Sequence, residues 1–205
     1  MAVASQMTAL GTAPPGFSLP DVEGGQVALD DLLDAPAVLV MFICNHCPYV
    51  KHVQGELARL AEDYQRRGVA IVGVSSNDVK VQPADRPEAM AEEARRVGYT
   101  FPYLFDASQE VAKAYGATCT PDFFLFGPPA SLPAGTEPAD GAPRVLVYRG
   151  QMDAARPGND VPVTGADLRA ALDAALAAAP VDPDQQPSMG CSIKWRPGNE
   201  PGAAR

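Results

Sequence analysis

Apolar positions follow two different periods along this chain, and these periods predict its strands and helices. Continuous apolar runs at 37–43 and 69–74 are typical of buried strands. Between them, apolar side chains recur every three or four residues and predict a helix over about 48–67, ended by Gly68. The pattern therefore indicates a strand–helix–strand unit in the first half of the chain.

The remaining elements are shorter. Strands are predicted at five further places: 14–20, 26–29, 102–105, 123–126 and 144–149. Helices are predicted at three: near 86–97, between Ser108 and Gly116, and over 165–178. Thr164 and Asp167 are typical of a capping box for the last helix, and the Pro- and Gly-rich segment 127–143 is predicted to be a loop. This order predicts an α/β fold with a central mixed sheet flanked by helices.

A chain of 205 residues is long enough for one domain with a sizeable core. We expect 1–13 to be an N-terminal β extension, 14–179 to be the domain and 180–205 to be a C-terminal tail. The tail is rich in Pro and Gly and is predicted to be irregular. It also holds Cys191 and the only tryptophan, Trp195, so we expect it to pack back onto the domain.

Charge and composition exclude several classes of partner. The net charge of −9 argues against nucleic acid and anionic membranes, which require basic patches. No apolar run approaches the length that spans a membrane. Residues 1–7 lack the basic and apolar regions of a signal peptide, so a cytoplasmic location is expected. In that compartment a C-x-x-C pair is more often catalytic or metal-binding than structural.

The chain carries a C-x-x-C pair, Cys44 and Cys47, at the junction of the first apolar run and the first long helix. Pro48 suits the first helical position, which places Cys47 at or next to the N-cap. Free N–H groups and the helix dipole favour negative charge there, so a cysteine is shifted toward the nucleophilic thiolate. The pair is therefore predicted to be catalytic and redox-active.

Polar residues near the pair are the next candidates. His46 precedes the second cysteine, where a partly protonated imidazole would stabilise a thiolate and make the pair more oxidising; the alternative is an exposed histidine without a role. His52, one turn into the helix, is a weaker candidate. Asn77, Asp78 and Arg149 lie at ends of predicted strands, where sites of α/β proteins gather, although most such residues only cap or solvate.

These motifs resemble those of a known family. A strand leading to C-x-x-C, a helix, and a later Thr-Pro before a strand are similar to the thioredoxin superfamily, and 13–126 resembles its peroxiredoxin-like branch of AhpC/TSA- and TlpA-type domains. Segments 44–52 (CNHCPYVKH) and 190–195 (GCSIKW) resemble the bacterial peroxiredoxin-like 1 group. No cofactor is predicted, and the resemblance implies a thioredoxin-like fold. It also implies a cis bond before Pro121 that faces the pair, which adds Thr120 and Pro121 to the predicted site.

The sequence leaves open which cysteine attacks. Counting along C-x-x-C as in thioredoxins makes Cys44 the exposed nucleophile and Cys47 the resolving thiol. The Pro48 argument and the peroxiredoxin comparison favour Cys47 instead. We give a slight preference to Cys44.

Two further cysteines are predicted to be accessory thiols. Cys119, two residues before Pro121, could resolve a mixed disulfide or could be a small buried apolar residue. Cys191 is the better candidate, and its alternative is packing beside Trp195. A Cys119–Cys191 disulfide is also possible on the sequence, which does not set connectivity.

Three functions are compatible with these residues. The preferred one is a thiol–disulfide oxidoreductase that acts on protein or small-molecule disulfides and is restored by a cellular thiol reductant. The second is a weak thiol peroxidase with Cys47 oxidised by peroxide. It is less favoured because Cys44 stands where peroxiredoxins have Thr, and Pro121 about where they have Arg. The third is a Cu(I)- or Zn-binding protein that uses the two thiolates and a histidine.

Overall fold

The structure, a computed structural model, describes residues 2–200. Within this range there are ten strands: β1 (Ala2–Ala4), β2 (Ser18–Pro20), β3 (Gln26–Ala28), β4 (Val38–Phe42), β5 (Ala70–Ser75), β6 (Tyr103–Phe105), β7 (Cys119–Thr120), β8 (Asp122–Gly127), β9 (Val145–Gly150) and β10 (Met189–Ser192). The α-helices of the same range are α1 (Pro48–Gln65), α2 (Pro87–Val97), α3 (Glu110–Tyr115) and α4 (Ala166–Leu176).

The main sheet is mixed and has the strand order β6-β5-β4-β8-β9. Strands β4, β5 and β6 are parallel to one another, and β8 runs antiparallel to β4. Strand β9 pairs antiparallel with β8 and therefore runs in the same direction as β4. Strand β4 is central: Val38 pairs with Ala70 on one side and with Phe126 on the other. The predicted α/β class with a mixed sheet is confirmed.

Both faces of this sheet are covered, because side chains along β4 alternate between two cores. Leu39, Met41 and Ile43 pack in a cluster with α1, α2 and α4. Val38, Val40 and Phe42 pack in a second cluster with α3 and the first hairpin. This arrangement buries β4 on both sides and fixes the point at which the chain leaves it, just before Cys44.

A small three-stranded sheet with the order β1-β10-β7 lies beside the main one. The expectation that 180–205 lacks regular structure is therefore wrong for β10, which pairs antiparallel with both β1 and β7. Sequence periodicity gave no sign of this strand, since its pairing partners are more than 65 residues away along the chain. Trp195 packs against the second core cluster, close to the buried Ile193.

The capping box predicted for the last helix is also wrong. Helix α4 begins at Ala166, and no side chain caps it from Gly165. The Oδ2 atom of Asp153 instead accepts hydrogen bonds from the backbone N–H groups of Thr164 (2.8 Å) and Gly165 (2.6 Å). The Asp153 carboxylate, from an earlier loop, therefore accepts backbone hydrogen bonds at the start of α4, the role predicted for the side chains of Thr164 and Asp167.

Within residues 2–200, no helix combines the length and the apolar character required to cross a lipid bilayer.

Candidate active site

Cys44 and Cys47 lie between the end of β4 and the start of α1. Cys47 is the N-cap residue, in an extended conformation, and Pro48 is the first helical residue. Both side chains are buried, with 1% of Cys44 and 0% of Cys47 exposed. The predicted position at the helix N-terminus is therefore observed, but in a covered site.

The Cys47 sulfur is the acidic one of the pair, with its pKa lowered to about 4. A hydrogen bond from the Cys44 thiol is the largest cause, followed by Cys191 and by the N–H of Val50 in the first turn of α1. Burial acts in the opposite direction. The Thr120 carbonyl oxygen, 3.1 Å from Cys47 Sγ, accepts a hydrogen bond only from the protonated form, and the donors outweigh it. Cys47 is therefore a thiolate at neutral pH.

Cys44 has the opposite character. Burial raises its pKa well above the usual value, and the hydrogen bond to Cys47 and the charge of Asp85 act in the same direction. The Thr120 hydroxyl, whose Oγ1 lies 3.1 Å from Cys44 Sγ, lowers the pKa by a smaller amount. Cys44 thus keeps its proton while Cys47 loses its own, and the two thiols are an unequal pair.

Thr120 and Pro121 face this pair. The peptide bond between them is cis, as the resemblance implied. The Thr120 hydroxyl contacts Cys44, and its carbonyl contacts Cys47. Both sulfurs therefore lie against the same residue of β7.

Asp85 organises the segment between the two cysteines and was missed by the sequence analysis. Its carboxylate is fully buried, and Oδ1 accepts hydrogen bonds from the N–H groups of Asn45 (2.8 Å) and His46 (3.2 Å). Oδ2 lies 2.6 Å from His46 Nδ1 and accepts a hydrogen bond from Asn77 Nδ2 at 2.7 Å. His46 is therefore held by this carboxylate, and Nδ1–H is the donor in that contact.

Asn77 connects this carboxylate to the C-terminal segment. While its amide nitrogen binds Asp85, its Oδ1 accepts a hydrogen bond from the N–H of Lys194 at 2.7 Å. The neighbouring Asp78 donates its backbone N–H to the Lys194 carbonyl at 2.8 Å. Of the weaker sequence candidates, Asn77 thus lies in the site, and Asp78 supports the segment that covers it.

The C-terminal strand β10 lies directly over the pair. Cys191 is the register partner of Thr120, and its side chain is close enough to Cys47 to lower the pKa of Cys47. Cys191 is only partly buried, and burial followed by its interaction with Cys47 raises its pKa to about 11. Gly190 allows this close approach, because a Cβ atom there would overlap the Thr120 carbonyl oxygen.

The side chain of Cys119 points away from the other three thiols. It pairs with Ser192, one position from the Cys191–Thr120 pair, so Cys119 and Cys191 occupy opposite faces of the small sheet. All four cysteines are free thiols. Burial and the nearby Asp122 raise the pKa of Cys119. This placement favours the buried apolar role for Cys119 and disfavours a Cys119–Cys191 disulfide.

Three further polar residues are Arg149, His52 and Asp122. Arg149 donates to the Thr8 carbonyl and to Gln185, so it connects segments near the two ends of the chain. Within residues 2–200, His52 Nε2 and Asp122 Oδ2 have no hydrogen-bond partner. Asp122 is fully buried next to Pro121, and burial raises its pKa well above the usual value.

Within residues 2–200, one group of at least three His, Cys, Asp or Glu side chains is close enough together to hold a metal ion. Atoms of Cys44, His46 and Asp85 lie within 4.8 Å of one another. Both oxygens of Asp85 already accept hydrogen bonds from Asn45, His46 and Asn77. A metal would have to displace some of these contacts, so the donor set fits thiol chemistry better than ion binding.

Replacing Gly190 with alanine is expected to displace β10 from its position against β7. The added Cβ would overlap a backbone oxygen that cannot rotate away, so we expect a loss of about 1–3 kcal/mol in stability and faster alkylation of Cys47. Chemical denaturation and peptide mapping after iodoacetamide treatment would measure both. Gly16→Ala is the matched control, because its Cβ would meet nothing within 4 Å. Unchanged alkylation in Gly190→Ala would contradict the covering role of β10.

The mixed sheet, the C-x-x-C segment at the start of α1 and the cis Thr120–Pro121 bond define a protein of the thioredoxin-fold class. The chain belongs to the AhpC/TSA family, because the sequence pattern of that family matches residues 10–133, more than half of the chain. The fold expected from the resemblance is confirmed. A thiol:disulfide interchange protein DsbE of Chlorobium tepidum shares this fold, with a TM-score of 0.58 at 20% identity over 82% of this chain and 97% of that one.

Two curated relatives are similar over about half of the chain. A protein named as a peroxiredoxin of Mycobacterium tuberculosis is 29% identical over 107 residues, 52% of this chain and 63% of that protein. The thiol-disulfide oxidoreductase ResA of Geobacillus thermodenitrificans is 30% identical over 117 residues, 57% of this chain and 63% of that protein. The chain thus spans less than two thirds of the length of these relatives.

Two solved structures are similar along nearly the whole chain. A hypothetical protein of Sinorhizobium meliloti is 48% identical with a TM-score of 0.87, covering 95% of this chain and 99% of its own. An uncharacterized conserved protein of Geobacillus kaustophilus is 52% identical with a TM-score of 0.86, covering 96% and 97%. These similarities cover far more of the chain than residues 10–133, the segment that matches the AhpC/TSA family.

Proposed function

We propose that this protein is a thiol–disulfide oxidoreductase in which Cys47 is the attacking sulfur and Cys44 the resolving one. The observation that carries the proposal is the unequal pair at the start of α1, with a stabilised thiolate at Cys47 and a protonated thiol at Cys44. This assignment reverses the slight preference for Cys44 in the sequence analysis. A curated relative named as a thiol-disulfide oxidoreductase supports the proposed class of reaction.

The exchange would proceed in two displacements. The Cys47 thiolate attacks one sulfur of a substrate disulfide, and the other substrate sulfur leaves as a thiolate. Cys44 then loses its proton and attacks Cys47. The Cys44–Cys47 bond forms as the mixed disulfide breaks, and the second substrate sulfur leaves as a thiolate that takes up a proton. A cellular thiol reductant restores the dithiol. Because a stabilised thiolate favours the reduced state, the Cys44–Cys47 disulfide is expected to be oxidising.

Asp85 and Thr120 would position the two sulfurs rather than react. Asp85 fixes the backbone between the cysteines through Asn45 and His46. The Thr120 hydroxyl is a hydrogen-bond partner for Cys44 as the proton leaves it. Under this proposal His46 is a positioning residue held by Asp85, and the substrates are protein or small-molecule disulfides. A cytoplasmic location stays a prediction.

A second candidate function is peroxide reduction by Cys47. The burial of both sulfurs favours it, because a small oxidant reaches a covered thiolate more easily than a protein disulfide does. A protein named as a peroxiredoxin among the curated relatives also favours it. Parallel assays of hydrogen peroxide consumption and of model-disulfide reduction would separate the two functions. Faster turnover of the model disulfide supports the first function, and faster turnover of peroxide supports the second.

The ionisation of Cys47 makes a prediction about pH. A thiolate exists above its pKa, so the thiolate absorbance of the reduced protein should persist from neutral pH down to about 5 and disappear around pH 4. An ordinary cysteine would lose it near pH 8.5. Ultraviolet titration of the wild type against Cys47→Ser would isolate this signal. A Cys47-dependent midpoint above about pH 7 would contradict the assignment of the attacking sulfur.

A further inference from the structure

Three sulfur atoms converge on Thr120. Cys44 Sγ lies 3.1 Å from its hydroxyl, Cys47 Sγ lies 3.1 Å from its carbonyl oxygen, and Cys191 is its strand partner in β10. The side chains of Cys191 and Thr120 are on the same face of the small sheet, which is the face toward the pair. Cys47 therefore has a thiol neighbour on each side, Cys44 from the end of β4 and Cys191 from β10.

The three thiols differ in their access to solvent. Cys44 and Cys47 are covered, whereas Cys191 is partly exposed. A bulky thiol reductant would reach Cys191 first, and it would reach the Cys44–Cys47 disulfide only if β10 moved away. The strand is held in place by bonds that do not involve the cysteines, including those from Ile193 N–H to the Thr118 carbonyl (3.0 Å) and from Lys194 N–H to Asn77 Oδ1 (2.7 Å).

Building on the proposed function, we propose that Cys191 is a third redox thiol that carries the disulfide from the buried pair to the surface. The Cys191 thiolate attacks Cys47 in the Cys44–Cys47 disulfide. The Cys47–Cys191 bond forms as the Cys44–Cys47 bond breaks, and the electron pair stays on Cys44, which takes up a proton. The number of disulfides does not change, so this step needs no external oxidant.

The chemistry of Cys191 and Cys47 favours this order of steps. In the reduced protein, burial and then the hydrogen bond and charge of Cys47 raise the pKa of Cys191, while Lys194 lowers it. Once Cys47 is in a disulfide its charge is gone, so Cys191 ionises more easily when it is needed as a nucleophile. In the resulting Cys47–Cys191 disulfide, Cys47 is the better leaving group because its thiolate is stabilised. An external thiolate therefore attacks the accessible Cys191 and releases Cys47, and a second thiol then frees Cys191.

Peptide mapping distinguishes the two disulfides. Trypsin leaves Cys44 and Cys47 together in peptide 1–51, whereas Cys191 is in peptide 170–194. A Cys44–Cys47 disulfide is internal to the first peptide, and a Cys47–Cys191 disulfide joins the two. We expect the joined peptides in Cys44→Ser after oxidation with one equivalent of glutathione disulfide, and also, as a fraction, in the oxidised wild type. The wild-type result does not depend on how the variant folds.

A kinetic test examines the role of Cys191 in reduction. The oxidised Cys191→Ala protein should be reduced by glutathione at least about tenfold more slowly than the oxidised wild type, because the accessible sulfur is missing. Cys119→Ala is the matched control, since that thiol is buried on the opposite face, and its rate should equal that of the wild type. Equal rates for Cys191→Ala and the wild type would overturn the proposed transfer of the disulfide from the buried pair to Cys191, which we call the relay.

The relay and the proposed function fail in different ways. If the wild type forms a Cys44–Cys47 disulfide but Cys44→Ser never joins peptides 1–51 and 170–194, the relay is overturned and the oxidoreductase proposal stands. If neither disulfide forms in the wild type, the oxidoreductase proposal fails and the relay fails with it.

Discussion

Replacing Cys47 with serine is expected to reduce disulfide exchange by at least about 1,000-fold, the scale on which removal of a nucleophile acts. A serine hydroxyl does not ionise near neutral pH, and it cannot form a disulfide. The remaining thiols cannot replace it, because burial, the largest cause of the raised pKa of Cys44 and of Cys191, persists in the variant. The measurement is the initial rate at which catalytic amounts of protein accelerate the reduction of a chromogenic aromatic disulfide by dithiothreitol.

Two variants complete this experiment. Cys44→Ser should still react with the disulfide, because the Cys47 thiolate remains, but it should lose the partner that forms the internal disulfide. Cys119→Ala should keep the wild-type rate, since its thiol faces away from the pair. A Cys47→Ser protein that kept more than about a tenth of the wild-type rate would show that another sulfur attacks.

Replacing Asp85 with alanine is expected to cost about 3 kcal/mol of stability and to disorder the segment between the cysteines. The N–H groups of Asn45 and His46 and the amide of Asn77 would lose their acceptor inside the protein. Each buried donor without a partner costs about 1–3 kcal/mol, and water entering the vacated space would offset part of the sum. Urea denaturation would measure the loss.

An isosteric change separates the charge of Asp85 from its hydrogen bonds. Asp85→Asn keeps one acceptor oxygen and should cost less stability than Asp85→Ala. It should also lower the pKa of Cys44, because the negative charge of Asp85 helps to raise it. Glu88→Ala is the control: its ion pair with Arg86 is exposed and 4.0 Å long, so we expect a change within about 0.5 kcal/mol. If Asp85→Ala were as mild as this control, the carboxylate would not organise the site.

The sequence predicted the elements whose signals are local. The apolar run of β4 and the periodic apolar face of α1 give their positions within a few residues, because both depend on burial of their own side chains. The placement of Cys47 at the helix N-terminus followed from Pro48. The cis bond before Pro121 came from the family resemblance, since nothing in the residues themselves requires it.

Features that depend on distant contacts could not be predicted in the same way. Strand β10 has four residues with no apolar alternation, and it exists because β1 and β7 pair with it. Asp85 lies in a Pro-containing polar segment, and its role arises from donors about 40 residues away, at Asn45 and His46. The proposed identity of the attacking sulfur likewise depends on distant contacts, because spacing along C-x-x-C favoured Cys44, whereas the pKa shifts that lead us to propose Cys47 arise from burial and from the neighbours of each sulfur.

The most direct test of Cys47 as the attacking sulfur uses the double variant Cys44→Ser/Cys191→Ser. Neither neighbour can then resolve a mixed disulfide, while each serine hydroxyl keeps a hydrogen-bond donor for the Cys47 thiolate. After exposure to glutathione disulfide at about pH 6, where an ordinary thiol is almost fully protonated, we expect one glutathione on peptide 1–51, whose only remaining cysteine is Cys47. Mass spectrometry would locate it. An unmodified peptide 1–51, or glutathione on Cys119 alone, would contradict a reactive Cys47 thiolate.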